Sequence, residues 1–137
     1  MTIVMNLVLT GNDHLDITDH HEPGPLLAAL REVNGQSGAD RTGGFMWLFR
    51  LGSSDDDPTL AVGVRGEIGA LAWYLGNDEL VPANGLNDDD ADRYWTWFGH
   101  EFPLPRRSEL PIDLVYRALA EWIGTHRRPT CVAWVAT

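Results

Sequence analysis

The chain has 137 residues, of which 44% are hydrophobic, with six Trp, four Phe and three Tyr, a size and apolar content suited to one domain folding around one core. Twenty acidic residues face ten basic ones, all ten of them arginine, for a formal net charge of -10. That charge disfavours nucleic acid and anionic membrane surfaces as partners and favours a cationic protein, although acidity also serves plain solubility.

The opening "MTIVMNLVLTGNDH" has no basic n-region, and its apolar run breaks at Asn6, so it reads as a first strand over Ile3 to Leu9 and not as an export signal. No window approaches the ~20 apolar residues of a membrane span. With Cys131 as the single cysteine, an intramolecular disulfide and a multi-thiolate metal site are both excluded, and the expected location is cytoplasmic.

The polar loop "TGNDHLDITDHHEPGP" follows, rich in turn residues. From Pro25, Leu26, Leu27, Leu30 and Val33 recur at helical spacing until "NGQSG" stops the helix. "GGFMWLFRL" alternates Phe45, Trp47 and Phe49 with Met46, Leu48 and Arg50, a strand with one strongly buried face. After the loop "GSSDDDPT", "LAVGVRGEIGALAWYLG" reads as a hairpin turning at Arg65-Gly66-Glu67. Its small residues Gly63, Gly69, Ala70 and Ala72 permit close packing. "ELVPANG" is a short edge strand, demoted by Pro82.

The clearest helix spans Pro111 to Thr125, with Ile112, Val115, Ala118, Leu119 and Trp122 as its apolar stripe and Asp113, Arg117 and Glu121 as a charge ladder opposite. "RRPTCVAWVAT" closes the chain as a strand, and alternation places Trp134 in the core. Together these elements predict an α+β single domain over residues 1–137, a mainly antiparallel sheet with two helices packed on it.

Catalytic and metal motifs are missing. The glycines of "GVRGEIG" lie three apart within a hairpin, unlike a dinucleotide-binding loop. Asp13, His14, Asp16, Asp19, His20, His21 and Glu22 are metal-ligating types, but their spacing matches no ligand frame. "SDDDP" and "NDDDAD" lack the glycine and glutamate of a calcium loop. No cofactor or metal is expected, and no catalytic residue is assigned. A rival reading makes the chain a small enzyme or ligand-binding domain with an aromatic pocket near His100 and Glu101, yet neighbours on a strand point to opposite faces.

The segment "NDDDADRYWTWFGHEFPLP" carries the strongest functional signal. In extended chain, Tyr94, Thr96 and Phe98 face one way and Trp95 and Trp97 the other, so one set fills the core while the second needs a cover or a partner. Asp88, Asp89, Asp90 and Asp92 would rim an exposed tryptophan and attract a basic protein. These six residues, the four aspartates with Trp95 and Trp97, are the candidate binding set.

Glu101 to Val135, "EFPLPRRSELPIDLVYRALAEWIGTHRRPTCVAWV", resembles the Imm1 family of bacterial immunity proteins in its "FP" step, its "ALAEW" helix and its "T-x-R-R-P-T-C-V-x-W" ending. "GALAWYLG" is similar more loosely, and Met1 to Gly44 hardly at all. Trp122 stands where phenylalanine is more usual, and His126 where a glycine commonly caps the helix. The resemblance implies a small cytoplasmic, non-enzymatic protein, encoded beside a polymorphic toxin that it neutralises by binding. Such toxins often carry a deaminase or nuclease domain acting on nucleic acid.

Overall fold

The computed structural model describes residues 13–36, 43–91, 94–96 and 100–137. The strand expected over Ile3 to Leu9 lies outside the described residues. In chain order the elements are β1 (His14–Asp16), α1 (Pro23–Gln36), β2 (Gly44–Arg50), β3 (Thr59–Arg65), β4 (Ile68–Leu75), β5 (Asp78–Pro82), β6 (Tyr94–Trp95), β7 (Glu109–Pro111), α2 (Ile112–Thr125) and β8 (Trp134–Ala136). The architecture is α+β, as the sequence predicts. The sheet runs β1-β2-β3-β4-β5-β8, with β6 added beside β2 and β7 beside β4. All pairings are antiparallel except β1 with β2 and β2 with β6.

Alternation along β2 to β4 feeds two apolar layers. On one face Trp47, Phe49, Leu60, Val62, Val64, Leu71 and Trp73 pack under Leu26, Leu30 and Val33 of α1 and Val115, Leu119 and Trp122 of α2. Trp122 is fully buried, meets Trp73 edge-on with ring centroids 4.9 Å apart, and donates its indole N–H to Phe49 O at 3.0 Å. An indole so placed contributes apolar area and leaves no orphaned donor. On the other face lie Met46, Ala61, Ala70 and Ala72, covered by Ala91, Tyr94 and Leu104. The second face of β2 is partly covered as well, with Met46 buried and Leu48 and Arg50 half-buried, because the chain after β5 folds back over it.

The helices begin and end for local reasons. α1 starts at Pro23, two residues before the expected start, since proline costs nothing in a first turn whose N–H groups have no partner. α2 ends at His126 in the left-handed region, φ 56°, its N–H bonded to Trp122 O. This is the position where the family resemblance leads one to expect glycine. The backbone cost of a histidine there is offset by a 2.7 Å bond from His126 Nε2 to His20 O and by the His21 ring, 4.7 Å away. The β3–β4 hairpin turns at Gly66, φ +74°, where the Asn34 side chain donates to Gly66 O and accepts from Gly66 N, both at 2.8 Å.

Four expectations from sequence need correction. β5 is not an edge strand: it sits between β4 and β8, with Pro82 as its last residue. Strand β8 begins only at Trp134, because the N–H groups of Thr130 and Cys131 bond to the Glu121 carboxylate and not to a neighbouring strand. For the same reason Glu121 does not serve a charge ladder, and among the described residues the ion pairs are Arg50–Asp55 and Arg65–Glu109. Trp134 is only partly buried against the core, its indole donating to Pro129 O at 2.7 Å.

Candidate functional site

The candidate surface is built on the connection between β5 and β7. Its two limbs are zipped by main-chain bonds: Ala91 and Leu104 exchange N–H groups at 2.8 and 2.9 Å, Phe102 N donates to Tyr94 O at 2.9 Å, and Thr96 N to His100 O at 2.8 Å. Asn87 pins its start, donating from Nδ2 to Asp89 O at 2.6 Å and accepting Glu109 N at Oδ1, 2.9 Å away. The acidic run is thus held on a folded limb, and Asp88, Asp89 and Asp90 are all exposed. A charged loop ordered before binding loses less entropy on association.

Tyr94 fastens this layer to the sheet. Its ring lies over bare backbone: a Cβ added at Gly63 would stand 2.6 Å from its Cδ1 and Cε1 atoms, and one added at Gly44 2.8 Å from the same atoms. Only glycine at both positions lets the ring approach so closely. The Tyr94 hydroxyl donates to Glu109 Oε2 at 2.8 Å, and the same oxygen accepts from Arg65 Nη2 at 2.8 Å. Burial, reinforced by the Glu109 charge, pushes the Tyr94 hydroxyl well above the usual tyrosine range, so it stays a donor. Burial also works against the Arg65 charge, but Glu109 and the Tyr94 oxygen outweigh it and raise the guanidinium pKa. Arg65 Nε is buried without an acceptor among the described residues.

With Tyr94 turned inward, period-two alternation turns Trp95 outward. Tyr94 is 0% exposed and Trp95 41%, while Thr96 is buried again. Trp95 pairs with Phe45 on β2 and bridges Glu101 on the returning limb. Leu86, at 56%, is a second exposed large apolar side chain on this connection. Asp90 and Trp95 are five positions apart, a span of at most ~18 Å, which fits within one partner's ~800 Å² share of a standard interface. Asp92 and Trp97 lie outside the described residues.

The rival pair His100 and Glu101 is exposed, and His100 bonds through its main chain, its N donating to Thr96 Oγ1 at 3.2 Å and its O accepting Thr96 N at 2.8 Å. In the metal-like loop, Asp16 Oδ1 accepts Thr18 N, Thr18 Oγ1 and Gly52 N at 2.9, 2.5 and 3.0 Å. Those bonds, the Thr18 hydroxyl foremost, hold its carboxyl below the ordinary value. Among the described residues no group of three or more His, Cys, Asp or Glu is arranged to hold a metal ion. Nor, among them, is any helix long and apolar enough to cross a membrane. Sequence reasoning missed the pairing of Arg65 with Glu109, 44 residues apart, whose only signal is that both are charged and stand at strand ends.

An α+β domain of this size, with an aromatic side chain left in solvent beside an ordered acidic limb, is the frame into which the comparisons fit. The family model described as immunity protein Imm1 matches residues 18–136, nearly the whole chain, and the chain belongs to that family. Members act as immunity proteins against a toxin, and the family is generally non-enzymatic. The match begins far upstream of Glu101, so α1 and β2 to β5 belong to the family frame as much as the C-terminal third. A comparison with curated proteins found no match.

Proposed function

We propose that this chain, acting as one domain over residues 1–137 in the cytoplasm, neutralises a basic toxin that acts on nucleic acid, of the deaminase or nuclease type. It does so by covering the toxin's active site or substrate groove. The observation that carries the reading is the solvent-exposed Trp95 on the same connection as the exposed aspartates 88 to 90. An enzyme that handles DNA or RNA needs a positive groove for phosphates, and a protein of net charge -10 can occupy that groove in place of the substrate. In this reading Asp88, Asp89, Asp90 and Asp92 steer the encounter, and Trp95, with Trp97, anchors the complex. The test is binding of the toxin domain encoded beside the chain. Affinity should fall steeply with salt and drop on Trp95→Ala; a tight, salt-insensitive complex indifferent to Trp95 would refute it.

A further inference from the structure

Strand β6 is only two residues long and holds two ladder positions on β2. So short a pairing does little to fix its own register, and a one-residue slip would exchange the inward and outward side chains. The main-chain bonds from Phe102 N to Tyr94 O and from Thr96 N to His100 O tie the two limbs to each other, so a contact with the sheet itself must decide that Tyr94 faces it and Trp95 the solvent. The glycine slot under Tyr94 selects a flat ring, and the hydroxyl finds one oxygen, Glu109 Oε2, already held at 2.8 Å by Arg65. Arg65 ends β3, Glu109 begins β7, and β7 is paired to β4 through Ala70↔Glu109. Three strands therefore meet at a single carboxylate oxygen, and a fourth, β4, holds the residue that carries it. We propose that the Tyr94–Glu109–Arg65 relay is a positioning device for the toxin-binding surface: through it the buried side of the sheet sets the outward pose of Trp95, and with it affinity. This rests on the reading of Trp95 as a toxin anchor.

The decisive variant is Tyr94→Phe, which keeps the ring in its slot and removes only the hydroxyl. Chains labelled with 5-fluorotryptophan report each indole separately by 19F NMR, and the Trp95 resonance is assigned by its loss in Trp95→Phe. In Tyr94→Phe the Trp95 resonance should shift or broaden while those of Trp73 and Trp122 stay in place. Dissociation of the neighbouring toxin domain should accelerate about tenfold, the ratio expected when a charge-assisted buried bond is lost. In the double variant Tyr94→Phe/Trp95→Ala that effect should vanish, because the hydroxyl acts only through the indole.

A Trp95 resonance unmoved in Tyr94→Phe, or toxin effects that simply add, overturns the positioning role while leaving the docking reading intact. Conversely, if Trp95→Ala binds toxin as the parent does, the docking reading fails, and the proposal falls with it whatever the resonance does. Should Tyr94→Phe not fold, Glu109→Gln serves instead: it retains an acceptor, weakens the Arg65 contact, and must move the same resonance. Its failure to do so counts against the relay equally.

Discussion

Glu121, near the end of α2, accepts both the N–H and the hydroxyl of Thr130 at a single oxygen, Oε2, at 2.6 and 2.8 Å. Its other oxygen takes Cys131 N at 3.2 Å. One carboxylate thereby turns the chain out of the helix and delivers Trp134 to β5. Burial raises the Glu121 pKa, but the bonds from Thr130 and Cys131 outweigh it and leave the group below its ordinary value of 4.5. Because the folded pKa is depressed, the stability it contributes is complete above the unfolded value and is lost as pH falls through the folded one. Glu121→Ala should cost about 1 kcal/mol near neutral pH. The loss should shrink as pH falls below the unfolded value and on through the lower folded one, where the parent carboxylate is itself protonated. Urea unfolding at pH 7 and at a descending series of acidic pH values measures both; a loss that stays constant down to the lowest pH at which the parent still folds would contradict the assignment.

The two C-terminal tryptophans should behave differently. Trp122, fully buried with its N–H bonded to Phe49 O, should cost ~3 to 5 kcal/mol as Trp122→Ala. Trp134 keeps part of its surface in solvent, so Trp134→Ala should cost less, about 1 to 2 kcal/mol. Thermal unfolding of the two variants orders them, and the reverse order would displace Trp122 from the centre of the core.

Gly63→Ala places a methyl 2.6 Å from the Tyr94 ring, against side-chain carbons of a ring held at both ends. The layer over the second sheet face should lift, at about 1 to 3 kcal/mol of stability. Amide exchange at Ala91, Thr96, Phe102 and Leu104, whose main-chain bonds zip that layer, should quicken more than exchange in the β3–β4 ladder. Uniform quickening would mean that the connection is not a separate layer.

What was legible in the sequence is what depends on near neighbours. The α2 stripe, the β3–β4 hairpin around Gly66 and the inward-outward alternation of Tyr94, Trp95 and Thr96 all follow from periodicity and turn chemistry. What was hidden depends on distant ones. Gly44 and Gly63 acquire their meaning from a ring 50 and 31 residues further on, and Ala61, Ala70 and Ala72 read as mere small residues until a covering layer is known. The prolines of "EFPLPRRSELP" masked β7, which pairs over only three residues. Glu121 cut β8 short by a side-chain bond across nine residues, which strand alternation cannot anticipate.

The acidic cluster Asp55 to Asp57 on the β2–β3 loop supplies a charge control for the acidic limb, at two of its three positions. Asp57 is a structural residue, since its Oδ2 accepts Ser54 N at 2.9 Å and holds the loop, whereas Asp55 and Asp56 are exposed. Replacing Asp55 and Asp56 by Asn should leave both the fold and toxin association unchanged within about twofold.

The most direct measurement is stopped-flow association and dissociation of the neighbouring toxin domain at two salt concentrations. The proteins compared are the parent chain, the Asp88/Asp89/Asp90→Asn variant and Trp95→Ala. The aspartate variant should associate about tenfold more slowly at low salt with little change in dissociation, the difference shrinking at high salt. Trp95→Ala should leave association nearly unchanged and speed dissociation by a factor corresponding to ~2 kcal/mol or more. If instead the aspartate variant and the Asp55/Asp56 control behave alike and Trp95→Ala dissociates at the parent rate, the toxin docks elsewhere and Trp95 is no anchor.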